Sequence, residues 1–226
     1  LLCNPHNPAG RVWRREEIER VAEICRRNGV RVVSDEIHCE LTMPGYRYVP
    51  YGTVDPSAVV CLSPSKAFNT AGLQIANIIV ADPGERKLID RAVNINEVCD
   101  VNPFGVEALK AAYSPEGSEW LDALRAYIYD NYCLLREYLG RRLPQCAVAR
   151  LEGTYLPWVD ISKFGSDADE LAGGLLDKAG VWVNSGSMYG DGAYLRINIA
   201  CPRQILEEGL ERICGYLEGA CMNNIN

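Results

Sequence analysis

Three polar residues of this 226-residue chain stand where they could do covalent chemistry together: Asn7, Asp35 and Lys66. Lys66 follows the apolar run Ala58-Val59-Val60-Cys61-Leu62 and two serines, Ser63 and Ser65. A deprotonated lysine amine can anchor an aldehyde cofactor such as pyridoxal phosphate, and serine hydroxyls can hold its phosphate. Such a ring needs a carboxylate at its nitrogen, to keep it protonated and electron-accepting, and a donor at its phenolic oxygen. Asp35 suits the first need and Asn7 the second. Lys66, once displaced by substrate, can also act as base. Each residue alone has a plainer reading: Lys66 as a solvated loop residue, Asp35 as a cap or loop acid, Asn7 as a turn former.

The elements around them bring the three to one place. Leu1-Leu2-Cys3 reads as the end of a buried strand. The prolines and glycine of Asn4-Pro5-His6-Asn7-Pro8-Ala9-Gly10 make a rigid turn after it. Residues 15–28 read as an amphipathic helix with Ile18, Val21, Ala22 and Cys25 as its stripe. Glu16 and Glu17 at its start and Arg26 and Arg27 at its end match the helix dipole, and Gly29 suits its exit. Residues 30–34 read as a strand leading into Asp35-Glu36, so strand, helix and strand form a parallel βαβ unit. After the loop-like 42–56 comes the strand at 58–62. Residues 74–80 read as a further strand that follows too soon for a helical crossover, and so runs antiparallel. Asn7, Asp35 and Lys66 then each follow the carboxyl end of consecutive strands about 4.8 Å apart, where open α/β sheets bind ligands.

From Glu85 the pattern turns helical, with the longest helix expected from Glu119 to Leu139 and Gly140 and Pro144 as its stop. A helix of about twenty residues spans roughly 30 Å, enough to join two domains. Beyond Pro144, strands are expected at 147–150, 154–160, 181–184 and 193–199. A helix opening at Ser166-Asp167, with Ser166 as N-cap, and a last helix from Arg203 to Glu218 complete an α+β pattern. The expected fold class is α/β with a mostly parallel sheet, plus a smaller α+β domain. The expected divisions are 1–116, an interdomain helix at 117–142, and 143–226.

Bulk properties narrow the classes of function. Net charge is −7 with no basic block, which disfavours a nucleic-acid partner. No apolar run is long enough to span a membrane, and the first residues do not read as a signal peptide. The chain starts on Leu1, in a strand end, and reads as a fragment without its N-terminal part. Its 10 cysteines are scattered, with no Cys-x-x-Cys, and His6 and His38 are the only histidines. Buried free thiols in a reducing cytoplasm are expected, with no metal site and no disulfide framework.

Four stretches carry a family resemblance: Asn4-Pro5-x-Asn7-Pro8-x-Gly10, Ser34-Asp35-Glu36-Ile37-His38, Ser63-x-Ser65-Lys66-x-Phe68-Asn69 and Arg196-Ile197-Asn198. Together they resemble fold-type I pyridoxal-phosphate enzymes of the class I/II aminotransferase family. Gly10-Arg11-Val12-Trp13 and Arg196-Ile197-Asn198-Ile199-Ala200-Cys201-Pro202-Arg203 are similar to its cystathionine β-lyase (cysteine-S-conjugate β-lyase) branch.

The resemblance implies an aspartate-aminotransferase-like large domain and a homodimer when full length. It also implies an amino-acid substrate whose thioether is cleaved to a thiol, pyruvate and ammonia. By it, Lys66 carries the cofactor, Asp35 faces the pyridine nitrogen and Asn7 the ring oxygen. Ser63 and Ser65 help bind phosphate, His38 stands near the ring oxygen, and Arg196 clamps the substrate α-carboxylate. Read without the resemblance, Arg196 is a strand-edge surface charge. Gln74 stands where many aminotransferases place a phosphate-binding arginine. Two other readings stay open: an aminotransferase acting with a 2-oxo acid, and a catalytically incomplete binding module.

Overall fold

The computed structural model describes residues 1–97, 100–164 and 167–223. The chain divides into two compact units. The first comprises Leu1–His6, Arg11–Arg125 and Glu152–Thr154; the second comprises Asn7–Gly10, Ala126–Leu151 and Tyr155–Asn226.

The first unit begins with β1 (Leu2–Cys3), α1 (Arg15–Arg27), β2 (Val33–Asp35), β3 (Val59–Leu62) and β4 (Asn77–Val80). The strands lie in the order β1-β2-β3-β4. β1, β2 and β3 run parallel, and β4 returns antiparallel to β3, as the short connection requires. β2 is shorter than expected because Val30 and Arg31 are exposed and unladdered. β4 starts late because Gln74 takes the left-handed conformation, φ 51°, which no strand accommodates. In α1 the Glu17 carboxylate accepts the Arg14 N–H at 2.9 Å, satisfying one of the helix's orphan donors. Gly29 leaves the helix at φ 64°. Ile18 and Ala22 are buried against Val32, Val49, Tyr51 and Ala58, with Val21 and Cys25 half-buried at the margin. Burying a side chain such as Ile18 contributes about 1.5–3 kcal/mol, and this contact fixes α1 beneath β1 and β2.

Two helices follow, each opened by a capping side chain and a proline: α2 (Pro83–Ile95) by Asp82 and α3 (Pro103–Ala112) by Asn102. The long helix α4 spans Pro115–Arg142, beyond the expected Glu119–Leu139 at both ends. Ser114 Oγ accepts the Gly117 N–H at 3.1 Å, so the helix starts at Pro115. Gly140 does not end it. Arg142 in the last turn pairs with Glu211 and Glu218, and the chain leaves the helix only before Pro144. Leu121, Ile128, Tyr132, Leu135 and Leu139 form its buried stripe.

The second unit carries β5 (Ala147–Val148), β6 (Trp158–Asp160), α5 (Ala168–Ala179), β7 (Asn184–Ser185), β8 (Tyr194–Arg196) and α6 (Arg203–Asn223). Its sheet is antiparallel, in the order β5-β6-β8-β7. Every strand is shorter than expected. For β6, Thr154 at φ 70° and Pro157 keep the earlier residues out of the ladder. The expected cap Ser166 lies outside the described residues; Asp167 caps α5, accepting the Glu170 N–H at 2.9 Å. Among the described residues no helix is long and apolar enough to cross a membrane.

Eight of the cysteines are free thiols, but burial is not their rule. Cys214 is buried, Cys133 is exposed, and Cys3, Cys25, Cys39, Cys61, Cys146 and Cys201 are half-buried. Cys99 lies outside the described residues. A helical stripe position buries a thiol only if another element covers it, and position in the pattern does not report that.

Candidate functional site

In the first unit the carboxyl ends of three strands are level. Cys3 pairs with Asp35 and Asp35 with Cys61. The row is closed by the Asn4 N–H donating to the Asp35 carbonyl at 3.0 Å and the Glu36 N–H to the Cys61 carbonyl at 2.8 Å. Alternation along the strand then sorts the acids. Ser34 and Glu36 are fully buried, whereas Asp35 between them is half-buried.

Glu36 secures the strand end. Its carboxylate accepts from Ser34 Oγ at 2.8 Å, from the Tyr51 N–H at 2.9 Å and from the Tyr48 hydroxyl. Burial and this carboxylate push the Tyr48 phenol far above its ordinary value. With its neighbour anchored this way, Asp35 has little freedom. Its Oδ1 accepts the Ile37 N–H at 3.2 Å. Burial, and then the Asp35 and Glu36 charges, raise the pKa of the adjacent Cys61 thiol.

Lys66 sits in the turn that leaves β3. Ser63 is buried, donates its hydroxyl to the Ile75 carbonyl at 2.6 Å and accepts the Ser65 N–H at 3.1 Å. The turn closes through the Phe68 N–H to the Pro64 carbonyl at 2.9 Å and the Thr70 N–H to the Ser65 carbonyl at 3.2 Å. The Phe68 ring stacks on Trp120 at 5.5 Å between centroids. Lys66 itself is half-buried. Gln74 is exposed, in the left-handed conformation already noted. His38 is 3% exposed, and its carbonyl accepts the Leu41 N–H at 2.9 Å. Asp35, His38, Ser63, Ser65 and Lys66 therefore lie on segments leaving the same end of one sheet.

In the second unit Asn7 and Arg196 meet directly: Arg196 Nη1 donates to Asn7 Oδ1 at 2.9 Å. Arg196 Nη2 donates to Asn184 Oδ1 at 2.8 Å, and the guanidinium lies 4.8 Å from the centroid of the Tyr189 ring. Arg196 Nε is buried and has no hydrogen-bond partner among the described residues. Among the described residues neither Arg196 nor Lys66 makes an ion pair. Arg196 is therefore a cation steadied by neutral partners, with donors to spare. It is a β8 residue hydrogen-bonded on two sides, not a free strand-edge charge.

Glu36, Asn184 and Tyr189 were not expected from the sequence. The period-two spacing of Ser34 and Glu36 is a signal for the first. Asn184 and Tyr189 have none, since they reach Arg196 through sheet pairing and a turn. Among the described residues no cluster of His, Cys, Asp or Glu could hold a metal ion.

The two units thus define an α/β protein with polar groups gathered at the carboxyl ends of a mostly parallel sheet, and an α+β unit that presents an arginine. The chain belongs to the aminotransferase class I and II family, which matches residues 1–213. Cystathionine β-lyase PatB of Bacillus subtilis (strain 168) is 38% identical over 219 residues, 94% of this chain and 56% of that protein. Protein MalY of Escherichia coli (strain K12) is 33% identical over 214 residues, 93% of this chain and 55% of that one. The crystal structure of cystalysin from Treponema denticola, which contains a pyridoxal 5'-phosphate cofactor, matches with a TM-score of 0.92 at 30% identity. That match covers 96% of this chain and 57% of cystalysin. The chain spans a little over half the length of the curated relatives it matches.

Proposed function

We propose that the full-length protein is a pyridoxal-phosphate-dependent carbon–sulfur β-lyase that cleaves L-cystathionine or a related cysteine S-conjugate. One observation carries the reading: Asp35 and the turn bearing Lys66 leave adjacent parallel strands at the same end of one sheet. The likeness to relatives named cystathionine β-lyase supports the choice of branch.

The donor set suits the cofactor. Asp35 supplies the carboxylate for a pyridine nitrogen, and Lys66 the amine for an aldehyde. Asn7 has its oxygen occupied by Arg196, which leaves its NH2 group to donate to the ring oxygen. The Ser65 hydroxyl, 2.9 Å from Ser63 Oγ in this structure, would turn to donate to the phosphate, while Ser63, tied to Ile75, holds the turn that presents it. His38, on the segment that follows Asp35 from the end of β2, would neighbour the ring oxygen. Gln74 leaves phosphate binding to neutral donors. When bound, pyridoxal phosphate supplies the electron sink for the pair left at the substrate Cα.

The chain's residues then divide the work. Arg196 pairs with the substrate α-carboxylate through a two-donor fork. The Lys66 amine, which would hold the cofactor before substrate binds, would then take the Cα proton. Asp35 keeps the pyridine nitrogen charged. The Cβ–S bond breaks and the sulfur leaves as thiol; one water hydrolyses the remainder to pyruvate and ammonia. A second reading, transamination, is favoured by the family description. It would share each step up to proton removal, after which Lys66 would give the proton back, sulfur would be retained, and the amino group would pass to a 2-oxo acid. We further propose that the full-length protein is a homodimer, and that α4 is the interdomain helix.

The test is to supply the full-length protein with pyridoxal phosphate and L-cystathionine, with and without a 2-oxo acid. Pyruvate and thiol release independent of the 2-oxo acid is the expected result. Amino transfer without either product rejects the lyase. Lys66→Ala should abolish the visible absorption of the bound cofactor. A full-length wild-type protein without that absorption would be a binding module.

A further inference from the structure

Asn184 and Arg196 face each other directly across the β7–β8 pair. The Asn184 amide is oriented by its own contact, its NH2 group donating to Met188 Sδ at 3.7 Å, so that its oxygen is the end offered to Arg196. Asn7, Asn184 and Tyr189 together hold the guanidinium through two amide oxygens and one ring face. All three supports are neutral. They fix the plane of the group without cancelling its charge, and Nε remains a buried donor with no partner among the described residues. A buried unsatisfied donor costs about 1–3 kcal/mol, which the fold alone gains nothing by retaining. An aspartate at position 184 would be nearly isosteric and a stronger acceptor, and would serve the fold at least as well. It would also neutralise the arginine.

We propose that Asn184 is a positioning residue for carboxylate recognition, and that its neutrality is the property that matters. It aligns Arg196 while leaving the whole charge for the α-carboxylate of an amino-acid ligand. This rests on the reading of Arg196 given above.

The experiment measures, on the full-length protein, the affinity of 3-(methylthio)propanoate, a carboxylate without an amine to react, beside its neutral amide. The KM for L-cystathionine is followed in parallel. Asn184→Ala is expected to weaken binding of the acid about tenfold, the loss of one charge-assisted hydrogen bond. Asn184→Asp is expected to weaken it more than Asn184→Ala does, by about a hundredfold from wild type, and to leave the amide unaffected. Wild-type affinity for the acid in Asn184→Asp overturns the proposal. Should thermal melting show Asn184→Asp unfolded, Asn184→Leu takes its place, with a fivefold or greater loss for the acid alone expected; unchanged affinity overturns it. Undiminished acid binding by Arg196→Ala would sink the reading of Arg196 itself. Loss in Arg196→Ala beside wild-type affinity in the Asn184 variant would overturn only the role of Asn184.

Discussion

Arg196 Nη1 donates to Asn7 Oδ1 at 2.9 Å, across 189 positions of sequence. The bond joins the residue proposed for the substrate carboxylate to the one proposed for the ring oxygen. It also fixes which end of the Asn7 amide remains free. Replacing Arg196 by lysine keeps the charge but removes the planar fork that meets Asn7 and Asn184 together. Arg196→Lys is expected to raise the KM for an amino-acid substrate by about 10- to 100-fold, the worth of one or two charge-assisted hydrogen bonds. Steady-state kinetics on the full-length protein checks this.

The two serines before Lys66 should separate by experiment. Ser63 is buried and its hydroxyl is spent on the Ile75 carbonyl. Ser63→Ala is expected to cost about 1–3 kcal/mol of stability, read as a lower urea midpoint. Ser65→Ala should lower the midpoint less than Ser63→Ala does, because it removes only the 2.9 Å bond of a half-buried hydroxyl to Ser63 Oγ. It should weaken pyridoxal phosphate binding while sparing pyridoxal, which has no phosphate.

Gly186 tolerates no side chain. An added Cβ would stand 2.2 Å from the Asp191 carbonyl oxygen and 2.7 Å from that of Tyr194. Both are backbone atoms, so the 3-10 turn Gly186–Tyr189 must move, and with it the ring beneath Arg196. Gly186→Ala is expected to destabilise by about 1–3 kcal/mol, and to lower affinity for carboxylate ligands. Urea denaturation and a ligand titration read the two effects separately.

Tyr51 is fully buried, yet its hydroxyl has no hydrogen-bond partner among the described residues. Burial pushes this phenol up from 10.0 to about 12, helped by Cys25 and Asp55 and opposed by Arg26. A raised folded pKa means that the folded state holds the proton more tightly. The associated stability is present below pH 10.0 and is lost as pH rises toward about 12. Tyr51→Phe is expected to raise stability at pH 7 by about 1 kcal/mol, by removing an unsatisfied polar group. Its melting temperature should also fall less steeply than that of wild type above pH 10.0. A destabilised variant at pH 7 would mean that the hydroxyl has a partner.

Much of the first unit was legible because its determinants are local. The stripe Ile18, Val21, Ala22 and Cys25 and the exit at Gly29 placed α1. The short connection from β3 to β4 required antiparallel pairing, and the structure has it. Strand ends were less legible. Thr154 at φ 70° and Gln74 at φ 51° interrupt runs whose composition favours strand, and a left-handed non-glycine leaves no mark in composition. The end of α4 was misplaced for a related reason. Gly140 weakens a helix, but the ion pairs of Arg142 with Glu211 and Glu218, 69 and 76 positions on, extend it.

By itself the sequence determined the family, the order of the first sheet and the positions of Asn7, Asp35 and Lys66 at strand ends. The family follows from the resemblance of its ordered motifs; the sheet order and the strand ends follow from short-range patterns: apolar periodicity, turn residues, and the chain length between strands. Only the tertiary structure decided that Glu36 is spent on securing a strand end, that Ser63 serves the turn, and that Asn184 and Tyr189 steady Arg196. Those roles depend on which atoms meet across a sheet or a turn, and pairing between distant strands is set by packing that no local pattern encodes.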